Sequence, residues 1–224
     1  MKALGEIAEQ LGKKDLNTNV EQCINDPSWL TPKLKGKPPY NNSLFCNCSY
    51  PNSVCHVVAL ILKGQDLGGV LPQSLVKLPY LTYIDLTRNF LSGNIPHEWA
   101  STKLEFFRIS SNNFTGRMPD FFGSWKQFEK LEIQASGFEG PIPSNISILS
   151  NLIELRISDV VGGGSKFPNL SSMKGMERLF LKHQKVLLFE FMRGAWDGSF
   201  VCGVDSKGSP TRSTTGETLR DKTE

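Results

Sequence analysis

The sequence repeats itself every 23 or 24 residues, and this periodicity constrains the fold more than any other feature. An apolar pattern, written L-x-x-L-x-L, begins six times, at Val57, Leu81, Leu104, Phe128, Leu152 and Met176. In the second to fourth occurrences, it continues into an Asn or Ser, then a Leu or Phe, a Gly, and an apolar residue followed by Pro. Self-similarity at a fixed period of this length indicates a solenoid, in which one small unit stacks on the next.

Each position of the repeat has its own physical role. The L-x-L segment predicts a short strand whose alternate side chains point inward, and stacking aligns these strands in one parallel sheet. The polar residue after the strand, Asn89 or Asn112, can hydrogen-bond backbone groups of adjacent repeats. Glycine permits a tight bend, and proline ends pairing on the convex side. The pattern predicts an α/β fold, a leucine-rich-repeat solenoid with a short parallel sheet on its concave face.

The segment before the repeats, residues 1–56, is predicted to form an N-terminal cap. Four apolar residues fall on one face of a short helix that Gly12 ends, namely Leu4, Ile7, Ala8 and Leu11. Because the open end of a solenoid exposes an unpaired strand, a cap over the first repeat is expected.

Cysteines cluster in this cap. Four of the five, Cys23, Cys46, Cys48 and Cys55, fall within 33 residues, whereas Cys202 stands alone. An even, compact set predicts two disulfides with three possible pairings. Since Cys46 and Cys48 are too close to bond each other, each is expected to reach Cys23 or Cys55. A zinc site is disfavoured because the paired Cys-x2-Cys spacing is missing, so we expect an oxidising compartment and no metal.

Five N-glycosylation acceptor sequences agree with such a compartment; they begin at Asn41, Asn47, Asn113, Asn145 and Asn169. The start of the chain lacks the apolar run of a signal peptide. No stretch reaches the ~18 apolar residues of a membrane span. The chain as written is thus expected to have neither an export signal nor an anchor, as in a fragment or splice product.

The repeats are predicted to span residues 57–183, with about six units, and to be followed by a different tail. After His183 the Leu-x-Gly-x-Ile-Pro pattern is missing. Residues 203–224 consist largely of Ser, Thr, Gly and charged residues, a composition that predicts disorder. We therefore expect residues 184–224 to be non-repeat and partly disordered.

Outward positions of the predicted sheet provide the candidate binding residues. One position reads Ile61, Asp85, Arg108, Glu132, Arg156 and Phe180 along the six repeats. Another reads Ala59, Tyr83, Phe106, Lys130, Glu154 and Arg178. The alternating charges of the first predict either a ladder of exposed ion pairs or a charged ligand platform. The candidate ligand-binding residues are Tyr83, Phe106, Arg108, Lys130, Arg156 and Arg178, with the aromatic pair as an anchor.

Enzymatic and nucleic-acid functions are not indicated. The net charge of +3 is too small to favour nucleic acid or an anionic membrane. The three histidines occupy unrelated repeat positions, and no nucleophile–base pair is evident, so we expect neither catalysis nor a cofactor.

Further segments resemble one family. They are residues 75–96, the run from Leu11 to Asp15, and the cysteine segments around Cys46 and Cys55. Over about residues 3–183 the chain resembles the ectodomain of plant leucine-rich-repeat receptor-like serine/threonine kinases, in the subfamily that also carries a malectin-like domain. The resemblance implies an extracellular recognition module. In that family a signal peptide precedes this region; more repeats, the malectin-like domain, a membrane span and a kinase follow. Because this sequence lacks those parts, kinase activity and anchoring are not carried over.

The expected partner is a peptide, a glycan or another receptor ectodomain, bound on the concave face. Two alternatives stay open at this point. One is a secreted inhibitor of a cell-wall-degrading enzyme, similar to the plant polygalacturonase-inhibiting proteins, which use the same repeat. The other is a decoy fragment that does not signal.

Overall fold

The computed structural model describes residues 2–14, 23, 42–161, 168, 170, 173–183, 186–192, 200–204 and 210–213. One α-helix is present among them, α1 (Lys2–Leu11). The strands are β1 (Ser43–Asn47), β2 (His56–Ile61), β3 (Tyr83–Asp85), β4 (Ser92–Gly93), β5 (Phe106–Arg108), β6 (Asn113–Phe114), β7 (Lys130–Gln134), β8 (Glu154–Val160), β9 (Arg178–His183), β10 (Val186–Met192), β11 (Phe200–Val204) and β12 (Pro210–Ser213).

Ten strands form a single sheet in the order β1-β2-β3-β5-β7-β8-β9-β10-β11-β12. From β2 to β9 all neighbours are parallel, as stacked repeats require. At the first edge β1 runs antiparallel to β2, and beyond β9 the strands alternate in direction. β4 and β6 form a separate parallel pair on the far side of the repeats. The predicted parallel sheet is confirmed, while β1 and β10–β12 extend it in a way that the repeat pattern does not predict.

The core lies between the parallel strands β2 to β9 and the convex side of the repeats. The residue that begins each repeat is buried in all six units. Two tryptophans tie consecutive convex segments together, because Trp99 Nε1 donates to the carbonyl oxygen of Pro72 at 2.8 Å and Trp125 Nε1 donates to that of Trp99 at 2.9 Å. Both indole rings are buried and contact Phe107 edge-on. Apolar packing and hydrogen bonding therefore both run from repeat to repeat.

The asparagine after the strand performs the predicted bonding. Asn89 Nδ2 donates to the carbonyl oxygens of Leu62 and Leu86, and its Oδ1 accepts from the backbone N–H groups of Gln65 and Leu67. The side chain thus joins its own repeat to the preceding one. Asn112 repeats the arrangement one unit further along, donating to Leu86 and Ile109 and accepting from Leu91. Buried backbone groups that would otherwise lack partners are satisfied in this way.

A residue with a left-handed backbone conformation follows the L-x-L segment of five consecutive repeats. The residue two positions after the last inward strand residue has a positive φ in each, at Gly64, Arg88, Ser111, Ala135 and Asp159. The first repeat fills this position with glycine, for which the conformation carries no steric cost. The other four use residues that adopt it less readily, so the surrounding hydrogen bonds impose it.

The cap helix is confirmed in both its buried face and its end. Leu4, Ile7, Ala8 and Leu11 are all buried. Gly12 has a φ of +75°, and the N–H groups of Gly12 and Lys13 donate to the carbonyls of Glu9 and Ala8. This is the double hydrogen bond of a Schellman motif, which satisfies the last carbonyls of the helix.

The helix end then docks on the first repeat. The backbone N–H groups of Gly69 and Val70 donate to the carbonyl oxygens of Leu11 and Gln10, at 3.2 and 2.8 Å. Gly69 approaches so closely that a Cβ atom placed on it would lie 2.0 Å from the Gln10 oxygen. The cap therefore closes the first edge of the core through main-chain contact.

The structure contains the two disulfides that the cysteine spacing predicted, and it chooses the pairing. Cys23 bonds Cys46, and Cys48 bonds Cys55. The first bridge attaches Cys23 to β1, and the second joins the residue after β1 to the residue before β2. Among the described residues, no group of three or more His, Cys, Asp or Glu side chains is placed to hold a metal ion. The side chain of Cys202 lies outside the described part of the structure.

Part of the tail forms strands that the repeat pattern does not predict. After β9 the chain reverses, and β10, β11 and β12 continue the sheet as antiparallel neighbours. Two of these strands lie wholly or partly within residues 203–224, while residues 205–209 and 214–224 lie outside the described residues. Within the described residues, no helix combines the length and the apolar character needed to cross a membrane.

Candidate ligand-recognition face

Strand register brings one line of side chains together on the concave face, the face of the sheet opposite the core. Paired positions join Phe45 on β1, Ala59, Tyr83, Phe106, Lys130, Glu154 and Arg178 on β9. We call these seven residues the concave row. The repeat predicted six of them; Phe45 was missed because it belongs to β1, which precedes the first repeat. The row is apolar at the β1 end and charged at the β9 end.

Aromatic side chains dominate the apolar half of the concave row. The rings of Tyr83 and Phe106 are stacked, with centroids 5.2 Å apart and an interplanar angle of 28°. The Lys130 ammonium lies 5.5 Å from the centroid of the Phe106 ring, within cation–π range. Phe45 is 49% exposed, whereas Tyr83 and Phe106 are half-buried. Partial burial raises the pKa of the Tyr83 hydroxyl, with Asp85 and Glu132 adding to the effect and Arg108 opposing it.

One carboxylate organises the charged half. Glu154 is buried and lies close to three cations: Arg156 Nε at 2.6 Å, Arg178 at 2.9 Å and Lys130 at 4.0 Å. Burial by itself would raise the pKa of this carboxyl, but the hydrogen bond from Arg156 and the charges of Arg156, Arg178 and Arg108 outweigh it and lower the pKa. Three cations share a single anion here, so the cluster carries an excess of positive charge.

The alternating charge ladder predicted at Asp85, Arg108, Glu132 and Arg156 forms only in part. Arg108 does pair with Glu132 on the next strand, at 3.6 Å. Asp85, however, is buried and accepts a hydrogen bond from the backbone N–H of Thr87 instead of facing solvent. Arg156 turns to Glu154 on its own strand. Long, flexible side chains select the best local partner, which need not be the residue in the same position of the next repeat.

Two further glutamates, Glu105 and Glu129, precede strands β5 and β7 at equivalent positions. Burial raises the pKa of the Glu105 carboxyl, and the neighbouring charge of Glu129 raises it further. The folded chain therefore stabilises Glu154 as an anion and disfavours Glu105 as one.

Opposite pH dependences are expected from Glu154→Gln and Glu105→Gln. The folded pKa of Glu154 is lowered from 4.5, so its contribution to stability is present above that value and is lost as the pH falls through the folded pKa. Glu154→Gln should lower the free energy of unfolding at neutral pH by about 1 kcal/mol, and the loss should vanish in acid. The folded pKa of Glu105 is raised, so Glu105→Gln should stabilise the protein at neutral pH, and that gain should also vanish in acid.

Urea unfolding of both variants from about pH 3 to about pH 7 checks these signs. Glu139→Gln, at an exposed glutamate, is the control. A pH-independent loss for Glu154→Gln would contradict the electrostatic assignment.

A second aromatic cluster, absent from the sequence-based prediction, lies at the β1 end of the sheet. Tyr50, His56 and Tyr80 contact one another, with ring centroids 4.1–4.7 Å apart. His56 and Tyr80 each stand immediately before the first apolar residue of a repeat, so the period could have paired them. Tyr50 comes from a loop outside the repeats, which no repeat pattern places. We call these three residues the aromatic trio.

The glycosylation acceptors differ in accessibility. Asn47 on β1 and Asn113 on β6 are exposed. Asn145 is partly buried, and its amide nitrogen donates to the backbone oxygen of Asp120. Asn41 and Asn169 lie outside the described residues. The first two asparagines are therefore accessible to a modifying enzyme, whereas Asn145 uses its side-chain nitrogen in a hydrogen bond of the fold.

Comparison with known proteins agrees with this architecture. The family model described as Leucine Rich Repeat matches residues 80–101 and 103–125. One relative, a probable LRR receptor-like serine/threonine-protein kinase of Arabidopsis thaliana, is 36% identical over 121 residues, covering 53% of this chain and 12% of the relative. A second probable leucine-rich repeat receptor-like serine/threonine-protein kinase of that plant is 41% identical over 106 residues, covering 46% of this chain and 10% of the relative. The chain thus aligns with about a tenth of the length of these relatives.

Solved structures share the fold. The LRR ectodomain of the Arabidopsis thaliana receptor kinase GASSHO1/SCHENGEN3, in complex with CASPARIAN STRIP INTEGRITY FACTOR 2, superposes with a TM-score of 0.61 at 24% identity, covering 81% of this chain and 21% of that one. The Arabidopsis receptor kinase HAESA, in complex with the peptide hormone IDA and the co-receptor SERK1, superposes with a TM-score of 0.52 at 22% identity. The match covers 80% of this chain and 32% of that one. The chain therefore contains leucine-rich repeats and is homologous to the ectodomains of plant LRR receptor-like kinases.

Proposed function

We propose that the chain is an extracellular recognition module that binds an extended peptide along the concave row. The observation that carries this proposal is the change in chemistry along the row, from aromatic rings that are exposed or half-buried to a cluster with excess positive charge. Exposed aromatic side chains and arginines are the residues that most often dominate binding energy at protein interfaces. The structure of HAESA contains a bound peptide hormone, IDA, which is consistent with the proposal.

The dimensions of the concave row fit a short peptide. Neighbouring strands are ~4.8 Å apart, so the six steps from Phe45 to Arg178 span ~29 Å. An extended chain advances about 3.4 Å per residue, and about nine residues would cover the row. Apolar side chains would pack on Phe45, Tyr83 and Phe106. An acidic group would lie near Lys130 and Arg178, which Glu154 alone does not neutralise.

A peptide selection experiment tests this proposal. Peptides selected from a randomised phage-displayed library on the wild-type chain should lose affinity for the Tyr83→Ala/Phe106→Ala double variant by about 30-fold or more, since truncating an anchor commonly costs ~2 kcal/mol. Phe90→Ala is the matched control, because Phe90 is 63% exposed and lies outside the strands of the ten-stranded sheet. Binding to each variant is measured by calorimetry.

The charged half has its own matched pair. Arg178→Ala should weaken peptides that carry a carboxylate, whereas Arg117→Ala, at an exposed arginine outside the concave row, should leave their affinity unchanged. Equal peptide affinity of the wild type and the aromatic double variant, with an unchanged free energy of unfolding, would contradict the proposal. Tyr83 and Phe106 would then serve only as a cross-strand pair that stabilises the sheet by ~0.2–1 kcal/mol. Binding to an endopolygalacturonase in place of peptides would favour the inhibitor alternative.

A further inference from the structure

The aromatic trio, Tyr50, His56 and Tyr80, is a surface feature that the proposed peptide site does not use. Its rings are in mutual contact, and Tyr80 remains 39% exposed. Exposed apolar clusters on a monomer often mark a surface that something else covers. The identity of the covering group follows from the neighbouring strand.

Asn47 is the cross-strand partner of His56 in the antiparallel pairing of β1 with β2. Directly opposed residues of such a pair stand on the same face, ~4.5–5.5 Å apart. Asn47 is exposed and begins the acceptor sequence Asn47-Cys48-Ser49. Its Oδ1 accepts a hydrogen bond from the backbone N–H of Ser49 at 2.9 Å, so this turn uses the oxygen of the side-chain amide and not Nδ2.

We propose that Asn47 is N-glycosylated and that the first sugar of its glycan packs against the aromatic trio. The transfer joins Nδ2 of Asn47 to C1 of the first sugar of a lipid-linked oligosaccharide. The bond from C1 to the pyrophosphate oxygen breaks, the lipid diphosphate leaves, and the amide gives up one proton. Aromatic faces carry partial negative charge and attract the weakly positive C–H hydrogens of a pyranose ring. The inference rests on the extracellular location that the proposed function requires.

Occupancy of the site is the first measurement. The full chain, directed into the secretory pathway of a eukaryotic cell, should carry a glycan at Asn47 by glycopeptide mass spectrometry. Ser49→Ala should remove it and Ser49→Thr should retain it, because the acceptor sequence needs Ser or Thr at that position. Both substitutions keep the backbone hydrogen bond to Asn47. An unmodified Asn47 in a secreted chain would overturn the proposal, and occupancy of Asn113 in the same sample would show that the chain had met the transferase.

Packing against the rings is tested by a double-mutant cycle with Tyr80→Ala. The melting temperature of the glycosylated Ser49→Thr variant should exceed that of Ser49→Ala by about 2 °C, a shift that a single stacking contact can produce in a domain of this size. In the Tyr80→Ala background the difference should disappear. Sugar protons of the first residue should also show upfield ring-current shifts that Tyr80→Ala abolishes.

Equal melting differences in both backgrounds, together with unshifted sugar protons, would overturn the packing. None of these measurements involves a peptide. Failure of the glycan proposal and failure of the proposed peptide function are therefore observed separately.

Discussion

Replacing Asn89 with alanine is expected to destabilise the protein by about 4 kcal/mol, because four hydrogen bonds to main-chain groups are lost at once. Two of these are carbonyl oxygens that accept from Nδ2, and two are N–H groups that donate to Oδ1. Asn89 is buried, so water replaces these bonds poorly. Urea unfolding followed by circular dichroism measures the loss.

The same change at Asn94, an exposed asparagine in the same repeat, should shift the free energy of unfolding by less than about 0.5 kcal/mol. Asn112→Ala should fall between the two, because Asn112 is only partly buried although it makes the same kind of bonds. If Asn89→Ala were as mild as Asn94→Ala, the hydrogen-bond ladder would not be the source of cohesion between repeats.

Gly69→Ala is expected to detach the cap helix from the first repeat, with a loss of about 3 kcal/mol or more. A Cβ atom there would lie 2.0 Å from the Gln10 oxygen and 2.5 Å from the Leu11 carbonyl carbon, and main-chain atoms cannot rotate aside. The two hydrogen bonds from Gly69 and Val70 to the helix end would break as the helix moved. Differential scanning calorimetry reports the stability, and hydrogen exchange of α1 reports the detachment.

Gly68→Ala provides a control one residue away. A Cβ atom on Gly68 would meet no other atom within 4 Å, so this variant should be as stable as wild type or slightly more stable. Comparable destabilisation by the two changes would point to a loss of chain flexibility in this turn and not to contact with the helix.

Periodicity explains why so much of the fold could be predicted from the sequence. The alternation of apolar residues predicts the inward strand positions, and the repeat period predicts the roles of Asn89 and Asn112. The helical spacing of apolar residues predicts the buried face of α1. The left-handed turns did not show in the pattern, because Arg88 and Ala135 are not residues that favour that conformation. The repeat pattern also does not predict β1 and β10–β12, because these strands lie outside the repeats and pair antiparallel.

The candidate site could be predicted only as positions and not as contacts. The repeat correctly placed Tyr83 beside Phe106, where short cross-strand distance leaves few alternatives. The repeat did not predict that Glu154 would form ion pairs with Lys130, Arg156 and Arg178. Long side chains have many rotamers, so their ion pairs depend on the local surroundings and not on the repeat position alone. Tyr50 illustrates a further limit, since a loop residue has no period from which its neighbours follow.

The parallel stack from β2 to β9 is bounded by antiparallel strands at both ends, and this has a consequence for protein engineering. Interior units bond only to their neighbours, whereas the cap and the β10 hairpin contact the terminal units. A copy of residues 104–127 inserted after itself would meet the same hydrogen-bonding partners on either side. The concave face would then lengthen by ~4.8 Å per added unit while both ends stayed unchanged. The length of the concave face, and with it the length of peptide that it can contact, can therefore be changed in steps of one repeat.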